Sequence, residues 1–187
     1  MGSLKKPEIL NVSEVARSRL FTIQEVSLEF SNGERRVYER MKPNGREAVM
    51  ILALDGDSVL LIEEYAVGLE SYELGFPKGL IDPGETPLQA AQRELKEEVG
   101  FGAGKTELLA SLTMAPSYFS SRMNIIVAQD LYPEKLAGDE PEPLVVHRWP
   151  VDDLLSLLDK EQFSEARNIS ALFLLREWLL KQSTGAE

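Results

Sequence analysis

The stretch Gly79–Phe101, GLIDPGETPLQAAQRELKEEVGF, decides how the rest of the chain is read. It joins a glycine turn, a capped helix and a cluster of acids in one short segment. Thr86 is a natural N-cap, Pro87 suits the first helical position, and Gln89 completes a Thr-x-x-Gln capping box. Gly100 supplies the left-handed stop. Between the caps, Leu88, Ala91, Leu95 and Val99 recur at helical spacing and predict a buried stripe. At about 100° per residue, Glu94 and Glu98 fall roughly a quarter-turn from that stripe, and Glu97 flanks them. Glu94 and Glu98 form an i, i+4 pair in which like charges repel. Such a cluster beside a packed face calls for a cation, whereas glutamates in isolation would be a solvated acidic face.

The bulk properties narrow the chemistry. A chain of 187 residues, 43% of them hydrophobic, fits one cored domain with a small extension. No run approaches the ~18 apolar residues of a membrane span. The start, MGSLKKPEIL, lacks the apolar region of a signal peptide, and Lys6 stands where a myristoylation signal needs Ser or Thr. The absence of cysteine excludes disulfides and thiolate metal sites and fits a cytoplasmic enzyme. The single histidine, His147, cannot build a histidine metal site. Hard oxygen ligands remain, and these suit Mg²⁺ or Mn²⁺. A net charge of -11 argues against a nonspecific nucleic-acid binder. It leaves room for a small anionic substrate, because divalent cations and local arginines reverse the field inside one cleft.

The first eighteen residues are weakly patterned. Leu20–Phe30 and Arg35–Met41 read as an antiparallel pair around the turn Ser31-Asn32-Gly33. Such a pair is not stable alone and needs cover from the main domain or a second subunit. Strands follow at Glu47–Leu54, Ser58–Glu63, Tyr72–Phe76, Glu107–Met114, Met123–Leu131 and Leu144–Trp149. Pro133–Pro143 is a long acidic loop of the kind that is functional or mobile. Helices are expected from Val151 to Lys160 and from Glu165 to Gln182, the second with a core stripe of Ile169, Leu172, Phe173 and Leu179. Strands, one central helix, strands and terminal helices predict an α/β or α+β sandwich. Residues 1–45 form its N-terminal antiparallel β extension and 46–187 the main domain.

Gly79, five residues, Glu85, seven residues, then Arg93-Glu94-Leu95-Lys96-Glu97-Glu98-Val99-Gly100-Phe101 resembles the Nudix box at every fixed position. The resemblance implies a mixed-sheet α/β/α sandwich. It also implies a hydrolase that splits a nucleoside diphosphate linked to another group, with Mg²⁺ or Mn²⁺, more than one ion per site, held on a loop-helix-loop. Pro116, fifteen residues after Phe101, resembles the marker of the ADP-ribose pyrophosphatase branch. Within that branch, VSLEFSNGERRVYERM, EEYAVGLESYELGFPKGLIDPGE and DLYPEKLAGDEPEP resemble bacterial hydrolases of ADP-linked compounds. This implies cleavage of ADP-ribose, NADH and diadenosine triphosphate to AMP or ADP. It further implies a homodimer whose N-terminal strands help build the partner's site.

By that match, Glu94 and Glu98 are the leading metal ligands, Glu97 is close behind, and the backbone carbonyl of Lys78 is a further candidate. Arg93 and Glu85 orient the ligand carboxylates through an ion pair. Gly79, Gly84 and Gly100 are read as backbone-conformation positions. The general base is Glu140 or Glu142 on the acidic loop, which also carries Asp139, and Glu97 is the next choice. Arg46 leads the expected substrate contacts, with Arg40, Tyr65, Glu73, the backbone of Leu80 and Tyr118 behind it. Related ADP-ribose pyrophosphatases commonly carry arginine where this chain has Glu63-Glu64-Tyr65-Ala66-Val67, and Ser-Pro-Gly where it has Pro116-Ser117-Tyr118-Phe119. These departures imply different contacts to the terminal ribose and a broader preference for ADP-linked compounds. Two other readings stand beside this one: a nucleotide-sensing module without catalysis, and cleanup of noncanonical nucleoside triphosphates. Intact Glu85, Arg93, Glu94, Glu97 and Glu98 favour the enzyme, and Pro116 and the N-terminal strands count against triphosphate cleanup.

Overall fold

The structure is a computed structural model that describes residues 5–184. By contacts the chain divides into one unit of residues up to Arg46 together with Thr113–Ser121, and a second of Glu47–Leu112 and Arg122 onward.

The first unit carries a three-stranded antiparallel sheet in the order β1 (Glu8–Arg17), β2 (Thr22–Glu29), β3 (Arg35–Met41). The expected hairpin is present, and Gly33 at φ 85° makes its tight turn. Strand β1 is an addition to the expectation. Its register against β2 shifts between Ile9 and Asn11 and again between Glu14 and Ala16. Each irregularity resets the alternation of faces, which hides the strand from a period-two reading.

The second unit is built on a mixed sheet in the order β10-β5-β4-β9-β8, with β6 on β5 and β7 on β4. These are β4 (Ala48–Asp55), β5 (Ser58–Ala66), β6 (Ser71–Gly75), β7 (Lys78–Leu80), β8 (Phe101–Thr113), β9 (Arg122–Pro133) and β10 (Val145–Pro150). Strands β4 and β9 run parallel, from Ala48↔Met123 to Ala53↔Ala128. The continuous apolar run of β4 follows from burial on both faces. Val49, Ile51 and Ala53 join Ala90, Ala91, Leu95 and Val99 in one core. Met50, Leu52 and Leu54 join Leu154, Leu157, Leu172, Leu175 and Trp178 in the other. Helix α1 (Pro87–Glu94) therefore packs on one side of the sheet, and α2 (Ala166–Thr184) with the 3₁₀ helix Val151–Asp159 on the other. This is the sandwich the chain was expected to form.

Two helical details differ from expectation. In α2 the buried residues are Asn168, Ala171, Leu172, Leu175 and Trp178, while Phe173 is exposed. A polar residue begins the true stripe, so an apolar-only pattern misses it. In α1 the N-cap and capping box form as read, with the Gln89 N–H donating to Thr86 Oγ1 at 3.3 Å and the Thr86 N–H to Gln89 Oε1 at 2.9 Å. Leu88, however, faces outward, and Ala90 takes its place in the core.

Strands β4 and β5 pair only beside their turn, at Leu54↔Val59 and Asp55↔Ser58. Further along they part, and β4 pairs instead with β7 from Ala48↔Leu80 to Met50↔Lys78. The Ile51 N–H donates to the Pro77 carbonyl at 2.8 Å. The crossing at Phe76-Pro77 leaves the Phe76 N–H without a strand partner. Buried Asn168 accepts from it through Oδ1 at 3.0 Å and donates from Nδ2 to Glu165 at 2.9 Å. Asn168→Ala is expected to destabilise the fold by about 2–3 kcal/mol, the cost of orphaning a buried N–H beside a small cavity. Urea unfolding with an unchanged m-value checks this, and a loss below ~0.5 kcal/mol would remove Asn168 as the support of this crossing.

Candidate active site

A cleft of about 620 Å³ is lined by Glu64 of β5, Lys78, Gly79 and Leu80 of β7, Asp82, Arg93, Glu94, Glu97, Glu98 and the loop 137–141. Three features place the glutamates there. The capping box starts α1 at Pro87 and so sets the angle of every later side chain. At Leu95–Val99 the helix widens into a π-helical turn, closed by the Gly100 N–H donating to the Leu95 carbonyl at 3.1 Å. This turn replaces the uniform α-helical rotation expected for Glu94, Glu97 and Glu98; such turns recur at functional sites. Gly100 then adopts φ 82° and ends the helix as read.

Arg93 is the hub of the cluster. Its Nε and Nη2 grip the two oxygens of Glu85 at 2.9 and 3.0 Å. Its Nη1 donates to Glu94 at 2.7 Å and to Glu97 at 2.9 Å, and its Nη2 also donates to the Leu80 carbonyl at 2.8 Å. The guanidinium holds the Glu85 carboxyl below the usual carboxylate range through this hydrogen bond, while burial pushes Glu94 upward against the pull of Arg93. Burial also pushes Glu98 up, to about 8. Glu98 accepts from the Lys78 N–H at 2.9 Å, but the Lys78 ammonium goes to Glu64. A second positive charge is thus what the cluster lacks.

Gly79 has a steric role. Unlike Gly84 and Gly100 it does not sit at positive φ; a Cβ there would run into the Glu94 carboxyl. The backbone-conformation reading holds for Gly84 at φ 92° and is replaced at Gly79 by close approach.

The loop after β9 supplies the opposite wall. Glu140 lines the cleft, and its charge adds to the upward push on Glu94. Asp139 lines the cleft too. Glu142 lies outside that lining, in an adjoining cavity of about 400 Å³ that it shares with Glu63, Tyr65 and Tyr72; Glu140 stands between the two and lines both. In the adjoining cavity Glu142 accepts a hydrogen bond of 2.5 Å from the Tyr72 hydroxyl. Tyr65 packs edge-on to Tyr72 with ring centroids 5.4 Å apart. Glu73 lines a third cavity; one of its oxygens accepts from Ser71 at 3.0 Å and the other is buried without a partner. Leu80 lines the cleft with its carbonyl taken by Arg93. Arg40, Arg46 and Tyr118 belong to the first unit. There Arg40 donates to Gln24 at 3.2 Å, the Arg46 N–H to Asn44 Oδ1 at 3.0 Å, and the Tyr118 carbonyl accepts from the Met41 N–H at 2.9 Å.

Glu64, Asp82 and Tyr72 were missed in the sequence. Glu64 had a signal, since it follows buried Leu60 and Ile62 at strand spacing and so shares their face. Tyr72 had none, because its partner lies seventy residues away.

The donor set suits a hard divalent cation: carboxylate oxygens of Glu94, Glu97 and Glu98, no cysteine, and the lone His147 paired instead with Glu63 at 3.1 Å. Among the described residues no three acids already converge on one point, because Glu94 and Glu97 are turned to Arg93.

A NUDIX domain model matches residues 44–173. The chain belongs to the Nudix hydrolase family. A model described as the NudE-type Nudix hydrolase N-terminal domain matches residues 7–40. ADP compounds hydrolase NudE of Escherichia coli (strain K12) is 68% identical over 180 residues, covering 96% of this chain and 97% of that protein. ADP-ribose pyrophosphatase of Bacillus subtilis (strain 168) is 25% identical over 95% of this chain and 98% of its own length. A crystal structure of ADP compounds hydrolase superposes with a TM-score of 0.95 at 67% identity, covering 97% of this chain and 98% of that one. The segment Gly79–Phe101 lies inside the matched NUDIX domain.

Gly79→Ala is expected to fold with a loss of about 1–3 kcal/mol, the usual cost of overpacking. By displacing the Glu94 carboxyl it should weaken Mg²⁺ binding at least tenfold, measured by calorimetry. Native affinity would show that the close approach at Gly79 is dispensable.

Proposed function

We propose that this Nudix hydrolase cleaves the pyrophosphate linkage of ADP-linked compounds, ADP-ribose, NADH and diadenosine triphosphate among them, releasing AMP or ADP. The observation that carries the reading is the convergence of Glu94 and Glu97 on Arg93 in a cleft of about 620 Å³ that Glu98 also lines. Its relatives named for ADP compounds and ADP-ribose support the substrate class.

Water adds to one phosphorus, the bridging P–O bond breaks, and the bridging oxygen leaves with the other half. With ADP-ribose the products are AMP and ribose 5-phosphate. Glu94, Glu98 and Glu97, with the Lys78 carbonyl, would hold Mg²⁺ or Mn²⁺, more than one ion per site. Bound there, the metal supplies charge neutralisation for the phosphates and a more acidic water. Arg93, fixed by Glu85, holds the ligand carboxylates in register, and Gly79 and Gly100 give them room and a stop. Glu140, on the cleft wall, takes the proton of the attacking water, and Glu97 is the alternative. Arg46 and Arg40 bind phosphate, and Tyr65, Tyr118, Glu73 and the Leu80 backbone contribute to the rest of the substrate.

The first unit, residues 1–45 in our reading, dimerises the enzyme. Its sheet buries only Val26 among its hydrophobic residues and leaves Ile9, Leu10, Val15, Val37 and Tyr38 exposed, a surface that fits a second copy. We place the enzyme in the cytoplasm, which fits a chain without cysteine. Among the described residues no helix is long and apolar enough to cross a membrane.

Incubation with ADP-ribose and Mg²⁺ should yield AMP. Glu98→Gln should fold normally and lose roughly three orders of magnitude in kcat. A near-native rate in that variant at saturating Mg²⁺ would sink the ligand assignment. A triphosphate cleaved much faster than ADP-ribose would shift the reading to triphosphate cleanup. Sedimentation should give a dimer at micromolar concentration, and a monomer would remove the role given to the N-terminal sheet.

A further inference from the structure

The loop from Glu134 to Leu144 is tied down at both ends, and the free stretch between the ties is the part that lines the acidic cleft. At its start the Glu134 N–H donates to the Gly100 carbonyl at 3.0 Å and the Leu136 N–H to the Lys96 carbonyl at 3.1 Å. Lys96 pairs with Glu134 at 2.9 Å, and the Lys135 ammonium reaches the Glu97 carbonyl. All these ties run to the π-helical turn that carries Glu97 and Glu98, or to the Gly100 that closes it. At the far end, two residues beyond Glu140, Glu142 accepts 2.5 Å from Tyr72 on β6. Pro141 and Pro143 flank that contact, and their fixed φ transmits it to the neighbouring backbone. Between the ties, the Glu140 carboxylate lies where a side chain on Gly138 would have to go.

We propose that Tyr72 is a positioning residue: its hydrogen bond to Glu142 holds the stretch 137–141 over the acidic cleft and keeps Glu140 facing Glu94. The two loop acids then have different jobs. Glu140 faces the chemistry, and Glu142 is the tether. This rests on the diphosphatase reading of the cleft.

The test compares wild type, Tyr72→Phe, Glu142→Ala, Glu142→Gln and the double variant Tyr72→Phe/Glu142→Ala. It uses ADP-ribose with Mg²⁺, and hydrogen exchange of the full chain. A tether that sets the fraction of molecules with the loop in place should change kcat and leave KM nearly alone. Tyr72→Phe removes one hydroxyl from the surface, so Tm should not move. Its kcat should fall about three- to tenfold, the loss expected for one net hydrogen bond at an exposed site. KM should stay within about twofold. Glu142→Ala should match it, Glu142→Gln, which keeps an acceptor, should lose less, and the double variant should be no worse than either single. The amides of 137–141 should exchange faster in Tyr72→Phe. Wild-type kcat in Tyr72→Phe, multiplicative losses in the double variant, or a Glu142→Ala defect far larger than that of Tyr72→Phe would overturn the proposal; the last would put Glu142 in the chemistry itself. If wild type releases no AMP, the reading of the cleft fails instead, and hydrogen exchange alone decides the tether: unchanged exchange at 137–141 in Tyr72→Phe overturns it.

Discussion

Arg93 directs all five of its N–H bonds inward: two to Glu85, one each to Glu94 and Glu97, and one to the Leu80 carbonyl. Without it, the packed helix would hold neighbouring carboxylates against each other with nothing to balance them. The planar fork suits this task better than an ammonium, because one rigid group fixes several acceptors at once. It also joins the helix to the loop before it, since Glu85 and Leu80 both precede α1. The ion pair is half-enclosed, so its worth lies more in geometry than in net stability. It makes one arrangement of acids cheaper than the alternatives.

The same cluster stays short of charge balance. Glu98 is buried against the Lys78 N–H, and the nearest ammonium is engaged elsewhere. A site that raises the cost of its own anions is primed for a divalent cation, whose arrival reverses that cost. The sheet makes the burial feasible. By parting from β5, β4 pairs with β7, whose Lys78, Gly79 and Leu80 line the cleft, and Asn168 satisfies the Phe76 N–H at the crossing.

Much of this was legible in the chain. The capping box, the Gly100 stop and the spacing of Glu85, Arg93, Glu94, Glu97 and Glu98 are local features, and each needs only neighbours to be understood. The continuous apolar run at β4 announced a strand buried on both faces. What escaped reading was non-local or irregular. Strand β1 was hidden by register shifts, the α2 stripe by its polar first member, and the outward turn of Leu88 by the packing of Ala90. The separate placement of Glu140 and Glu142 depends on Tyr72, which no spacing rule connects to that loop. Gly79 looked like a turn glycine and is one that yields space to a carboxylate.

The widened turn at Leu95–Val99 bears on how this segment tolerates insertion and deletion. A π-helical turn is an α-helix that has accommodated one extra residue in the same rise. Loss of any one residue between Glu94 and Gly100 would let the helix relax into regular α geometry and still reach its glycine stop. Backbone hydrogen bonding would be satisfied and the core nearly so, yet the glutamates beyond the lost residue would change their angle and height relative to Glu94, because the wider turn spreads one more residue over the same arc. Substitution here changes one group, whereas a change in length changes the direction of all that follow. The segment is therefore held more tightly to its length than to the identity of residues such as Lys96.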